Sequence, residues 1–202
     1  EQALFCADRA GRRVWKFSLD GNVLRQVDMP GQHRASYGAI DYYHNFYVTD
    51  TRNHCVIKFD HNLELLDIFG EHGTGDNQFV EPRGIAIWKR YGQMFIAERK
   101  GAQYFWVGTD CTERSIATAG ADTYRISLRL TEYGFVSLLC PSGSDTTFYV
   151  RKRMVYPGKQ QVMFRAPAAT SPGQCASLLL RVEPTYSSYT YYHWDYPLNV
   201  AR

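Results

Sequence analysis

The chain has 202 residues, 45% of them hydrophobic, 21% charged and 15% aromatic, with a formal net charge of +3. That composition excludes disorder, collagen and a disulfide-dense scaffold, and no apolar run reaches the ~18 residues of a spanning helix. The charge is split, 13 Lys/Arg against 14 Asp/Glu up to residue 110 and 10 against 6 beyond it, and neither part has the dense basic cluster of a nucleic-acid binder.

The first residues, Glu1-Gln2-Ala3-Leu4-Phe5-Cys6, include neither an initiator Met nor a charged-then-apolar leader. A removed signal segment or an excised piece of a longer protein is therefore expected. Next comes a repeat. Phe5-Cys6-Ala7-Asp8 with Arg13-Val14-Trp15-Lys16-Phe17 matches Tyr47-Val48-Thr49-Asp50 with Cys55-Val56-Ile57-Lys58-Phe59, and again Phe95-Ile96-Ala97-Glu98 with Gln103-Tyr104-Phe105-Trp106-Val107. Short Gly-led strands, Tyr37-Gly38-Ala39-Ile40 and Arg83-Gly84-Ile85-Ala86-Ile87, precede the second and third copies. Four short strands per ~45 residues, with turn residues between them and no helical period, predict propeller blades stacked face to face.

The second copy carries a family resemblance. Tyr47-Val48-Thr49-Asp50-Thr51-Arg52-Asn53-His54-Cys55-Val56-Ile57-Lys58-Phe59, a Gly-rich connection ending in Gln78-Phe79, and Pro82-Arg83-Gly84-Ile85-Ala86-Ile87 together resemble the NHL repeat, with Cys55 where Arg is usual. The resemblance implies an NHL-type β-propeller, here incomplete, over residues 1–115. Three blades do not close a ring, so other protein chains, a second copy or a different subunit, are expected to complete it.

Residues 116–202 read differently. Tyr124–Leu139 reads as two strands with a turn between, Phe148–Arg151 follows a Pro141–Ser144 turn, Met154–Arg165 reads as a turn then a strand, and Gln174–Val182 as another strand, which predicts a small antiparallel sandwich. The segment Cys111–Asp122 is polar and without clear pattern, and its start is a candidate to complete the third blade. The order of Ile126-Ser127, Leu130-Thr131-Glu132, Pro157-Gly158 and Cys175-Ala176-Ser177-Leu178 is similar to the FlgD-like immunoglobulin-like domain, although Phe164-Arg165-Ala166-Pro167 stands where Trp-Asp-Gly is usual. The expected fold class is all-β: a partial NHL-type β-propeller plus a small antiparallel β-sandwich.

No catalytic constellation is read from the sequence. His33, His44, His54, His61 and His72 fall mostly on loops and are expected to be structural or solvated rather than metal ligands. Asp8, Asp50 and Glu98 recur at one blade position, where each is expected to accept backbone N–H groups of the next turn. Gly70–Gly75 lacks the Lys-Ser/Thr and helix of a phosphate cradle. Zinc-ribbon and redox spacings are missing among the five Cys. Cys140 and Cys175, at strand ends, form a candidate disulfide, with Cys6 or Cys55 to Cys111 as further options.

The densest aromatic stretch is C-terminal, and Tyr186, Tyr189, Tyr191, Tyr192, Trp194 and Tyr196 are the candidate partner-binding residues, suited to a protein interface or to stacking on sugar rings. A last strand capping the sandwich is the plainer use of the same residues. The expectation is a binding or structural subunit of a secreted or cell-surface, bacterial assembly, not an enzyme, with no cofactor, no metal, no nucleic acid and no membrane span. The alternative is the C-terminal part of a propeller enzyme or carbohydrate-binding protein whose site needs further blades.

Overall fold

The structure, a computed structural model, describes residues 2–166, 170–186 and 192–201. Its regular secondary structure is nearly all β-strand, and it divides into two compact units, residues 1–107 and 108–202. The division lies eight residues before the sequence-based one. Among the described residues no helix is long and apolar enough to cross a membrane.

The first unit is three successive antiparallel meanders. The first sheet is β1 (Ala3–Ala7), β2 (Arg13–Ser18) and β3 (Val23–Asp28); the second is β4 (Tyr37–Ile40), β5 (Phe46–Asp50), β6 (Cys55–Phe59) and β7 (Leu65–Phe69). After a short parallel pair, β8 (Glu71–His72) and β9 (Gln78–Phe79), comes the third sheet, β10 (Ile85–Trp88), β11 (Gln93–Glu98) and β12 (Gly101–Trp106). Each sheet pairs its strands in sequence order, as a propeller blade does.

Burial separates the three. Every residue of β5 and β6 is buried, because the second sheet has a neighbour on both faces. Phe5, Val14 and Val27 of the first sheet close over Phe46, Val48 and Ile57, and the Phe5 and Phe46 rings stack at 5.2 Å. On the other side the Thr49 and Thr51 hydroxyls donate to the carbonyls of Arg83 and Pro82 at 2.8 and 2.7 Å. The outward faces of the outer sheets are uncovered and apolar. Trp88, Phe95 and Tyr104 of the third sheet are 60, 52 and 42% exposed, and Leu4 and Val23 of the first are 54 and 55% exposed.

The second unit is built from β13 (Cys111–Thr118), β14 (Thr123–Leu130), β15 (Gly134–Ser142), β16 (Asp145–Val155), β17 (Gly158–Arg165), β18 (Leu179–Pro184), β19 (Trp194–Pro197) and β20 (Val200–Ala201). They form two four-stranded sheets, ordered β17-β14-β13-β20 and β16-β15-β18-β19. Tyr124, Ile126, Leu128 and Leu130 alternate inward from β14 and meet Val136, Leu138, Leu180 and Val182 in one core, the period-2 burial of a sandwich.

Two details correct the sequence reading. Cys111–Thr118 pairs with β14 inside the sandwich and does not complete the third blade. The strand expected from Gln174 begins at Leu179, since Pro172–Gln174 is a 3-10 turn whose preceding Ser171 hydroxyl accepts the Gly173 N–H.

Candidate functional site

The polar end of the second sheet is the most organised cluster of chemically able side chains among the described residues. β5 ends at Asp50 and β6 starts at Cys55, directly paired across a four-residue turn. Asp50 is fully buried, and it survives as a carboxylate because its oxygens are filled with donors. Oδ1 accepts the N–H groups of Arg52 and Asn53 at 3.1 and 3.0 Å; Oδ2 accepts the Arg34 N–H at 2.8 Å and the Asn53 amide at 2.7 Å. His33 Nδ1 lies 3.0 Å from the same Oδ2. Burial pushes the carboxyl up, but the hydrogen bonds from Asn53, Arg34 and His33 together outweigh it and hold the carboxyl below its ordinary value.

Cys55 Sγ is 3.6 Å from that same His33 nitrogen. Both Asp50 and Cys55 address Nδ1, whereas a thiol–imidazole–carboxylate triad needs the two on opposite ring nitrogens. Burial, helped by the Asp50 charge, pushes the thiol up to about 12, the reverse of an activated nucleophile. The arrangement is a three-atom donor set rather than a catalytic triad. Beside it a cleft of about 830 Å³ is lined by Asp8, Arg34, Asp50, Arg52, His54 and Glu81 among others.

The recurring carboxylates take the expected turn role at Asp8 and Asp50 but not at Glu98, whose partners are a backbone N–H from the segment before its sheet and a side-chain amide. Asp8 Oδ1 accepts the Arg12 N–H at 2.8 Å, and Glu98 accepts the Val80 N–H and the Gln103 amide, both at 2.6 Å. The His residues are spread: His54 accepts the Glu81 N–H at 3.1 Å and packs edge-on against His72 at 4.5 Å, while His44 stands in the β4–β5 turn at φ +64°. The Gly70–Gly75 loop is closed on itself by Gln78, whose side-chain oxygen accepts the Gly75 N–H at 3.1 Å.

The C-terminal aromatics do not form one surface among the described residues. Tyr186 is buried at 4% exposure and Tyr192 is 61% exposed. Trp194 and Tyr196 are half-buried in β19, with the Arg114 guanidinium 4.5 Å above the Tyr196 ring. Tyr189 and Tyr191 lie outside the described residues. Cys140 and Cys175 are joined in a disulfide with Cα atoms 6.0 Å apart, whereas Cys6, Cys55 and Cys111 are free thiols.

Sequence reading saw Cys55 replace the usual Arg but did not connect it to His33. The repeat itself carries the missing signal. The Arg34 N–H binds Asp50 as the Val80 N–H binds Glu98, so the residues just before, His33 and Phe79, hold equivalent places. Likewise Asp8 and Arg13 are linked across their turn as Asp50 and Cys55 are.

No protein-family model matches the chain, and no curated protein matches it. Solved structures do. A selenomethionine form of virginiamycin B lyase from Staphylococcus aureus aligns with 98% of this chain and 84% of its own length at 9% identity, TM-score 0.32. A catalytically inactive variant of that lyase with quinupristin aligns with 97% of this chain and 87% of its own at 11% identity, TM-score 0.36. A streptogramin B lyase aligns with 88% and 75% at 6% identity, TM-score 0.33.

These neighbours are β-propeller proteins, and they are enzymes, which corrects the expectation that the chain is not one. The lack of a nucleophile–base pair in the sequence is not a ground for excluding catalysis. At TM-scores of 0.32 to 0.36 the likeness carries no argument about reaction, substrate or residues. The blade architecture rests on the chain's own sheets.

Proposed function

We propose that the chain is a binding and assembly subunit, in which NHL-type blades are stacked on by the blades of a second copy and a FlgD-like immunoglobulin-like sandwich adds further protein contacts. The observation that supports this reading is the outward face of the third sheet. Phe95 lies opposite Tyr104, and Trp88 and Trp106 flank Gln93 on the same side. Phe95 and Tyr104 pack at 4.8 Å and Tyr104 and Trp106 at 5.4 Å. Such a face has the composition of a blade–blade contact, and an uncovered apolar patch of this kind marks an interaction surface.

The first sheet offers the complementary face, where Leu4 lies opposite Phe17, and Phe17 opposite Val23. Two head-to-tail contacts, which close two copies into a ring, cover both faces of each copy. A secreted or cell-surface, bacterial setting is part of the proposal, supported by the Cys140–Cys175 disulfide. Tyr192, exposed beside the sandwich edge strand β19, is the described tail residue best placed to meet a partner.

Native mass by light scattering tests it. The expected result is a discrete dimer or larger assembly that falls to monomer in the double variant Phe95→Ser, Tyr104→Ser. A wild-type chain that stays monomeric, or an assembly indifferent to those substitutions, overturns the reading.

A further inference from the structure

We propose that His33 Nδ1, Asp50 Oδ2 and Cys55 Sγ form a binding site for a divalent cation of zinc type. The three ligand atoms lie within 4.8 Å of one another. A tetrahedral ion with ordinary bond lengths separates a nitrogen and an oxygen ligand by about 3.3 Å and a nitrogen and a sulfur ligand by about 3.6 Å. The observed separations are 3.0 and 3.6 Å, within a few tenths of an ångström of those values, and the oxygen–sulfur pair lies within 4.8 Å, so the ion draws these two atoms together.

The mixed donor set is the kind that selects zinc over calcium or magnesium, which take oxygen ligands. Charge closes as well: a carboxylate and a thiolate neutralise a divalent ion, and imidazole completes the protein's three donors with a fourth position open. Binding sends the Cys55 thiol proton to solvent. A neutral His33 gives up its proton at Nδ1 and carries one at Nε2 instead, so no other charge changes.

The neighbouring blades supply a second, independent observation. Where the second sheet has His33, the third has Phe79, fully buried and edge-on to Phe105 at 5.6 Å. Where the second has Cys55, the first has Arg13, whose Nε donates to Asp28 at 2.9 Å. Of these positions only the carboxylate is common to all three sheets. At the other two the second sheet brings ligand atoms to Asp50, whereas in the third sheet Gln103, in the place of Cys55, donates its amide to Glu98 at 2.6 Å. Further support comes from the second shell of Asp50, because the Arg52 and Asn53 N–H groups on Oδ1 fix the orientation of the carboxylate, while on Oδ2 the ion displaces one of the present donors.

The test is titration of the reduced full chain with cobalt(II), read by thiolate-to-cobalt charge-transfer absorption, then displacement by zinc. One equivalent is expected to bind, with one proton released per site. Cys55→Ser and His33→Phe are each expected to weaken binding at least 100-fold, beyond the roughly 10–100-fold that loss of an outer-shell partner costs. Cys6→Ser and Cys111→Ser are expected to leave it intact. His33→Phe installs the residue that the third sheet tolerates at the same place, so it decides the matter even if Cys55→Ser does not fold. Folded wild-type chain with no charge-transfer band, or a band that persists in His33→Phe, overturns the proposal.

Discussion

At the scale of single residues, the joints between blades depend on backbone conformations that side chains oppose. Gly11 sits at φ +66°, and a Cβ there would lie 2.4 Å from the Ala35 carbonyl oxygen. The close approach is used, since the Ala35 N–H donates to the Gly11 carbonyl at 2.9 Å and ties the first turn to the segment entering the second sheet. Gly11→Ala is expected to cost about 2 kcal/mol or more, from strained φ and a backbone clash together, measured as a lower urea midpoint with unchanged slope. A midpoint within error of the parent would show that the joint can relax. The same residue scale explains why the candidate site was hard to read. Cys55 belongs to a strand with a clear pattern, but His33 lies in the stretch between β3 and β4, where no periodicity assigns it a neighbour. Only the fold reveals that the residue before Arg34 and the residue before Val80 answer to each other.

At the scale of elements, the blades were legible because strand alternation and Asp/Gly turns repeat with them, and the edges of the sandwich were not. In β13 four consecutive residues, Thr112 to Ser115, are exposed, so the alternation that marks a strand is missing there, and a register shift lies between Cys111 and Glu113. The aromatic tail was legible as an aromatic segment but not as β19, whose place at the sheet edge depends on pairing with β18. That edge is fixed by a two-pronged ion pair. Arg181 and Asp195 face each other across β18 and β19 with both contacts at 2.7 Å. The Arg181 hydrogen bonds, against a smaller opposing effect of burial, hold the Asp195 carboxyl below its ordinary value of 3.8. A carboxyl whose folded-state pKa is depressed contributes stability that is complete well above its ordinary value and is lost as pH falls through the folded one. Stability of the sandwich is therefore expected to drop below about pH 4, and Asp195→Asn to make that drop shallower while costing about 1 kcal/mol or less at pH 7. Parallel acid profiles for parent and variant would remove Asp195 from the account.

At the scale of the whole molecule, each unit has its own hydrophobic core, and the described covalent cross-link is confined to one of them. The Cys140–Cys175 disulfide closes a separation of 35 residues within the second unit, which restricts the unfolded chain and is worth about 3 to 4 kcal/mol on a loop-entropy account. The first unit, by contrast, holds two free thiols, Cys6 and Cys55, and no cross-link among its described residues. Two units with separate cores and one disulfide should respond unequally to its loss. The double variant Cys140→Ser, Cys175→Ser is expected to lower one calorimetric transition and leave the other in place. Fluorescence identifies which is which, because Trp15, Trp88 and Trp106 belong to the first unit and Trp194 to the second. A transition lowered to the same extent in both units would mean that the blades borrow stability from the sandwich. The blades would then not be free to take their missing neighbours from another copy, and the assembly reading would need the sandwich as part of the ring.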